Sequence, residues 1–154
     1  MKKAGEYKGM AHSARNPSYR ETVKESFARQ GLMRTLGAEI VEVEPGRCTI
    51  AAPIRPESAQ QHGFAHAGTS FALGDSACGY AALSLQEAGV EVLTSEMKIH
   101  LLAPATGARL VARGEVLRAG RRLVVARADI FAEGGEDSRH VATLLGTIVP
   151  VPAG

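Results

Sequence analysis

Residues 67–86 read AGTSFALGDSACGYAALSLQ, and their composition decides the architecture. From Ala67 to Ala82 every residue except Phe71, Leu73, Asp75 and Tyr80 is Gly, Ala, Ser, Thr or Cys. A helix of such small side chains lets other backbone approach it from every side, so it belongs at the centre of a fold. The run predicts one long helix from about Gly68 to Gln86. Asp75 is the single charged residue between His66 and Glu87. A carboxylate on a helix that is small or apolar all round has no solvated face to turn to, and an unpaired buried charge is costly unless its pKa shifts or it finds partners. Asp75 is therefore expected to be buried, and it is the first candidate for chemistry.

The segments around this helix are strand-like. Val92–Leu102, Arg109–Arg118, Arg121–Phe131 and His140–Val149 are rich in Val, Ile and Leu. Pro104-Ala105-Thr106-Gly107, Ala119-Gly120 and Gly134-Gly135 separate them, short enough to predict antiparallel hairpins throughout. Within Arg109–Arg118, Leu110, Ala112, Gly114 and Val116 alternate with Arg109, Val111, Arg113 and Glu115, which predicts a sheet with one covered face. Upstream, Leu36–Val43 and Arg47–Ile54 flank Glu44-Pro45-Gly46 and form a further hairpin. Tyr19 to Met33 carries Val23, Phe27, Ala28 and Leu32 at helical spacing, with Gly31 near its end. Residues 1–18 lack periodicity and read as a flexible tail, leaving 19–154 as a single domain. The order of elements predicts an α+β fold, a curved antiparallel sheet wrapped around one long central helix.

Bulk properties exclude several functions. The chain has 154 residues, 45% of them hydrophobic, enough for one domain with a real core. Eighteen basic residues against 16 acidic ones leave a net charge of +2, and aromatics make up 5% without any Trp. Neither feature suits nucleic acid. Lys2-Lys3 is followed by Gly5, Glu6, Tyr7 and Lys8 rather than an apolar segment, and no apolar run approaches the roughly 20 residues that span a bilayer. A soluble, cytoplasmic protein without membrane contact is expected. Cys48 and Cys78 form no metal or redox spacing and read as buried thiols.

The segment from Gln60 to Ala77 resembles a known family. Gln60, Gly63, His66-Ala67-Gly68 and Leu73-Gly74-Asp75 match the spaced signature of the hotdog-fold acyl-CoA thioesterases, in particular the phenylacetate-pathway and 4-hydroxybenzoyl-CoA thioesterase branch. Ala103-Pro104-Ala105 resembles the family's turn after the third strand. Two positions depart from the pattern: Ala67 replaces the first glycine of His-Gly-Gly, and Gln60 stands where many members carry Asn. The resemblance implies a hotdog fold, hydrolysis of an acyl-CoA thioester to free acid and coenzyme A, and sites shared across a homodimer that pairs again into a homotetramer. It implies no cofactor and no metal. It also makes Thr94 the hydroxyl that helps place a water, and sets Gly63 and Gly68 against the substrate.

The residue types suit that chemistry independently. A helix N-terminus presents unpaired N–H groups and partial positive charge, so the Ala67 and Gly68 N–H groups are candidates to hold a thioester carbonyl as oxyanion character develops. Asp75 then acts as nucleophile or as general base. Gln60 can orient water or the leaving thiolate, and His66 can hold the loop or the substrate. Arg121 and Arg122 at a hairpin tip are candidates for the phosphates of coenzyme A, set against a plainly solvated turn. His62, His66 and Asp75 would make a metal site only if the first two shared a helix, whereas Gly63 and Ala65 mark a loop. Asp75 lies eight residues beyond Ala67, about 12 Å along a helix at ~1.5 Å per residue. That is too far for one carbonyl to touch both, so the two groups are expected to meet across two subunits. A non-catalytic acyl-CoA-binding protein and a hydratase or dehydratase of acyl thioesters are the alternatives.

Overall fold

The computed structural model describes residues 11–154. Helix α3 (Ala67–Leu83) is wrapped by β1 (Glu39–Glu44), β2 (Arg47–Pro53), β3 (Val90–Leu101), β4 (Arg109–Ala119), β5 (Val124–Gly134) and β6 (Asp137–Pro152). These strands form one antiparallel sheet in the order β1-β2-β4-β5-β6-β3, and α3 packs against β2 through β6. This is the hotdog arrangement. Alternation explains it: Val124, Ala126, Ala128, Ile130 and Ala132 of β5 are buried while the residues between them are only partly so. In β4, Leu110, Ala112, Gly114 and Val116 are buried, and of the residues between them Val111 is buried as well.

The small-residue pattern works in both directions. A Cβ on Gly114 would stand 2.5 Å from the carbonyl carbon and oxygen of Ala77, and one on Gly74 would stand 2.8 Å from Leu144. Backbone therefore meets backbone where β4 crosses α3. Gly114→Ala is expected to destabilise the fold by about 1–3 kcal/mol, the range for overpacking a filled core, seen as a lowered urea midpoint with an unchanged slope. An unaltered midpoint would contradict the close approach.

Three sequence-based expectations change. Pro104–Gly107 does not close a hairpin, because β3 lies at the sheet's edge against β6 while β4 sits between β2 and β5. The connector is a crossover whose backbone bonds outward: Leu102 N–H donates to Val141, Ala105 C=O accepts from Ala65, and Ala108 N–H donates to Glu133. A short separator fixes length and leaves the partner open. The first helix divides into α1 (Tyr19–Arg29) and α2 (Gly31–Leu36) around an extended Gln30, with Gly37 at φ 65° closing α2. Gly31 thus opens a second helix, and Gly37 ends it. The tail expected over residues 1–18 lies outside the described residues as far as residue 10. Over residues 11–18 most side chains are exposed, while the His12 ring lies against Gly46 with its Nε2 bonded to the Val116 carbonyl, and Asn16 is buried at the foot of α1, bonding Thr22 and Ser18. β5 begins at Val124 rather than Arg121. Among the described residues no helix is long and apolar enough to cross a membrane.

Candidate active site

The loop from Gln60 to His66 presents the N-terminus of α3. Gly63, at φ 83°, makes the tight return that lets Gln60 N–H reach Phe64 C=O and Gly63 N–H reach Gln60 C=O. The Gln60 side-chain oxygen accepts from the His62 N–H, which leaves its amide NH2 to donate elsewhere. His66 is the N-cap: its Nδ1 accepts from the Gly68 N–H at 2.8 Å, and its carbonyl takes the Thr69 N–H. The Gly68 N–H, expected from sequence to face the carbonyl, is engaged by His66 within this chain. The Ala67 N–H, first in the helix, is left without an intrahelical acceptor. Gln60, Ala67 and Ser70 line one cavity of about 420 Å3, closed on its other side by Leu101 to Ala105 and Val141.

Asp75 belongs to a different cavity, of about 280 Å3, between α1, α3 and the start of β3. It is only half-buried, which corrects the expectation of a sequestered charge. Gly68, Phe71, Ala72, Asp75 and Gly79 recur at helical spacing as the part of α3 that the sheet leaves open, and the carboxylate sits midway along that stripe. The Thr94 hydroxyl donates to Asp75 Oδ1 at 2.6 Å. A break in register between Thr94 and Glu96 in the β3–β6 ladder marks a bulge beside this contact.

The floor of the Asp75 cavity contains residues that local sequence reading does not single out. Gln30, in the extended joint between α1 and α2, donates to the Tyr80 hydroxyl at 2.8 Å and accepts from Ser76 at 3.5 Å. Ser26 lies 3.3 Å from the same hydroxyl, and the Phe27 ring packs edge-on against Tyr80 at 5.8 Å. Burial pushes the Tyr80 pKa up, opposed by the hydrogen bonds from Ser26 and Gln30. The one available signal was Tyr80 itself, a polar aromatic in a run of small residues; Ser26 and Gln30 reach it only through tertiary packing.

The chain thus joins Asp75 with Thr94, and Gln60 with Ala67, without bringing the two pairs into one cavity. His66 and Gly68 border a third hollow beside Leu32 and Leu36. Arg121 and Arg122 lie exposed on the β4–β5 turn and line neither of the first two cavities. Cys48 and Cys78 are free and buried; burial pushes the Cys48 thiol up to about 12 and raises Cys78 further.

Comparison with known proteins bears on this geometry. The model of the Thioesterase superfamily matches residues 62–138, 77 of the 154 residues. A solved thioesterase family protein from Silicibacter pomeroyi is similar at 44% identity and a TM-score of 0.86, covering 88% of this chain and 99% of that one. The E. coli PaaI protein of the phenylacetic acid degradation operon shares the fold at 20% identity and a TM-score of 0.79, over 88% and 95% of the two chains. A Haemophilus influenzae thioesterase does so at 21% identity and 0.76, over 86% and 90%.

Proposed function

The chain belongs to the thioesterase superfamily, and from that premise we propose that it hydrolyses acyl-CoA thioesters at sites built from two copies of itself. The observation that carries the reading is the separation of the two functional ends of α3. Asp75, held by Thr94, opens into one cavity, and Ala67 with Gln60 opens into another. One substrate carbonyl must meet both kinds of group, so a second copy supplies the missing half. β3 suits the pairing: it is a twelve-residue strand at the end of the sheet. Leu93, Leu101 and Leu102 stand 61%, 58% and 54% exposed along and just past it. A long edge without a neighbour on one side favours another strand. The homodimer is the functional unit in this reading, and a further pairing into a homotetramer is proposed with it, since a helix rich in small residues and free sheet edges favour close association between chains.

In the proposed reaction the Ala67 N–H, at the positive end of α3, donates to the carbonyl oxygen and stabilises the charge growing there. Thr94 fixes Oδ1 of Asp75, and the other carboxylate oxygen attacks the carbonyl carbon or takes the proton of an attacking water. On the general-base route the C–S bond then breaks and the coenzyme A thiolate, leaving near the Gln60 amide, takes up the proton held by Asp75. On the nucleophilic route the thiolate's departure leaves a mixed anhydride on Asp75, which water cleaves to the free acid, restoring the carboxylate and supplying the thiolate's proton. Residues 60–68 shape the loop around this point, with Gly63 and His66 holding its form rather than touching the reacting atoms. Arg121 and Arg122 meet the nucleotide phosphates only if the partner brings its site to the β4–β5 turn.

A panel of acyl-CoAs, aromatic and aliphatic, scored for thiol release is the direct test. Free coenzyme A is expected from some members. An altered acyl group on an intact thioester would identify a hydratase, and tight binding without either change would identify a carrier or sensor.

A further inference from the structure

The oxyanion-binding end of α3 is short of donors. Of its first two N–H groups, that of Gly68 is consumed by His66 Nδ1, leaving the Ala67 N–H. Sites that stabilise a developing oxyanion ordinarily aim two or more donors at it. Two further polar groups line the same cavity: the Gln60 amide, assigned above to the leaving thiolate, and Ser70. Ser70 is 2% exposed, lines the cavity with Ala67 and Gln60, and its hydroxyl makes no hydrogen bond among the described residues. It stands three residues beyond Ala67, on the same face of the helix. Other buried hydroxyls of this region differ: Thr69 donates to the Ser58 carbonyl, and Ser84, the C-cap, accepts from the Gly46 N–H and donates to the Ala81 carbonyl. A hydroxyl on a buried residue that opens to the cavity and bonds nothing else among the described residues is a donor free for a ligand.

We infer that Ser70 is a catalytic residue whose hydroxyl donates the second hydrogen bond to the thioester carbonyl, beside the Ala67 N–H. The inference rests on the thioesterase reading and adds to it. Ser70 forms no covalent bond in this role; its proton stays on oxygen, and the bond it donates strengthens as the carbonyl gains charge.

The test uses the full-length protein and the best acyl-CoA of the panel. Ser70→Ala is expected to lower kcat by about 10- to 100-fold, at or below the loss seen when one oxyanion donor is removed, with KM changed less than about threefold and the melting temperature unchanged. Ser70→Cys, a weak donor of similar reach, should fall between. The decisive readout is infrared. A ketone analogue with CH2 in place of the thioester sulfur, 13C-labelled at the carbonyl, is bound to wild type and to Ser70→Ala, and its stretching band should move to higher frequency in the variant. Unchanged kcat, or reduced kcat with an unshifted band, would overturn the assignment. If Ser70→Ala lost its fold, the band in Ser70→Cys would decide in the same way. Failure of the wild type to hydrolyse any acyl-CoA would sink the functional reading instead, a separate outcome.

Discussion

Replacing Ala67 by proline is expected to abolish most turnover while leaving the protein folded. Ala67 is the first residue of α3, a position where proline is well accepted because the helix does not use that N–H. His66 before it has φ −62° and ψ 142°, the extended conformation that a following proline favours. The substitution therefore deletes one donor and little else. Loss of a single preorganised oxyanion donor lowers kcat by about 100- to 1000-fold, and that fall is expected here with an unaltered circular dichroism spectrum. Full activity in folded Ala67→Pro would mean that the carbonyl lies elsewhere.

Asp75→Asn keeps shape and removes charge, and is expected to reduce turnover by at least ~100-fold, the scale of a positioned acid–base group. Because Asp75 is half-buried with a hydroxyl partner that Asn can also engage, the fold should be unaffected. The two variants together test the geometry. In a dimer of one Asp75→Asn chain and one Ala67→Pro chain, one site carries both lesions and the other carries neither. Refolding the inactive variants as an equal mixture should return about a quarter of wild-type activity, since random pairing makes half the dimers mixed and each has one sound site of two. A mixture shown by mass to contain heterodimers yet as inactive as its parents would place each site within one chain.

Much of this was legible in residues 67–86. Small residues on all sides of α3 required surrounding backbone, and Gly114 against Ala77 is the physical form of that requirement. Alternation in β4 and β5 carried the covered face. What sequence could not supply was pairing: the partner of β3 is chosen by the whole sheet, so the crossover at Pro104 read as a hairpin. Nor could it show that one stripe of α3 is left open, since Phe71 and Ala72 look as ready for burial as Leu73. His66 illustrates a different limit. Its type and position fit a substrate ligand and a helix cap equally, and only the 2.8 Å bond to Gly68 separates them.

The place of β3 in the sheet also governs when such a site can come into being during synthesis. Asp75 and Thr94 are made before β6, yet among the described residues β3 pairs with β6 alone, where Ile148 lies opposite Thr94. A nascent chain that has emerged only through β5 holds α3 against a sheet without its edge, and leaves β3, which carries Thr94, without the ladder that fixes its register. Closing that pairing means ordering a long intervening loop of chain, a step that is slow for antiparallel sheets of high contact order. Hydrolytic competence is thus the last property the polypeptide acquires, and a truncated product lacking β6 can carry every residue of the motif without the geometry that makes it one.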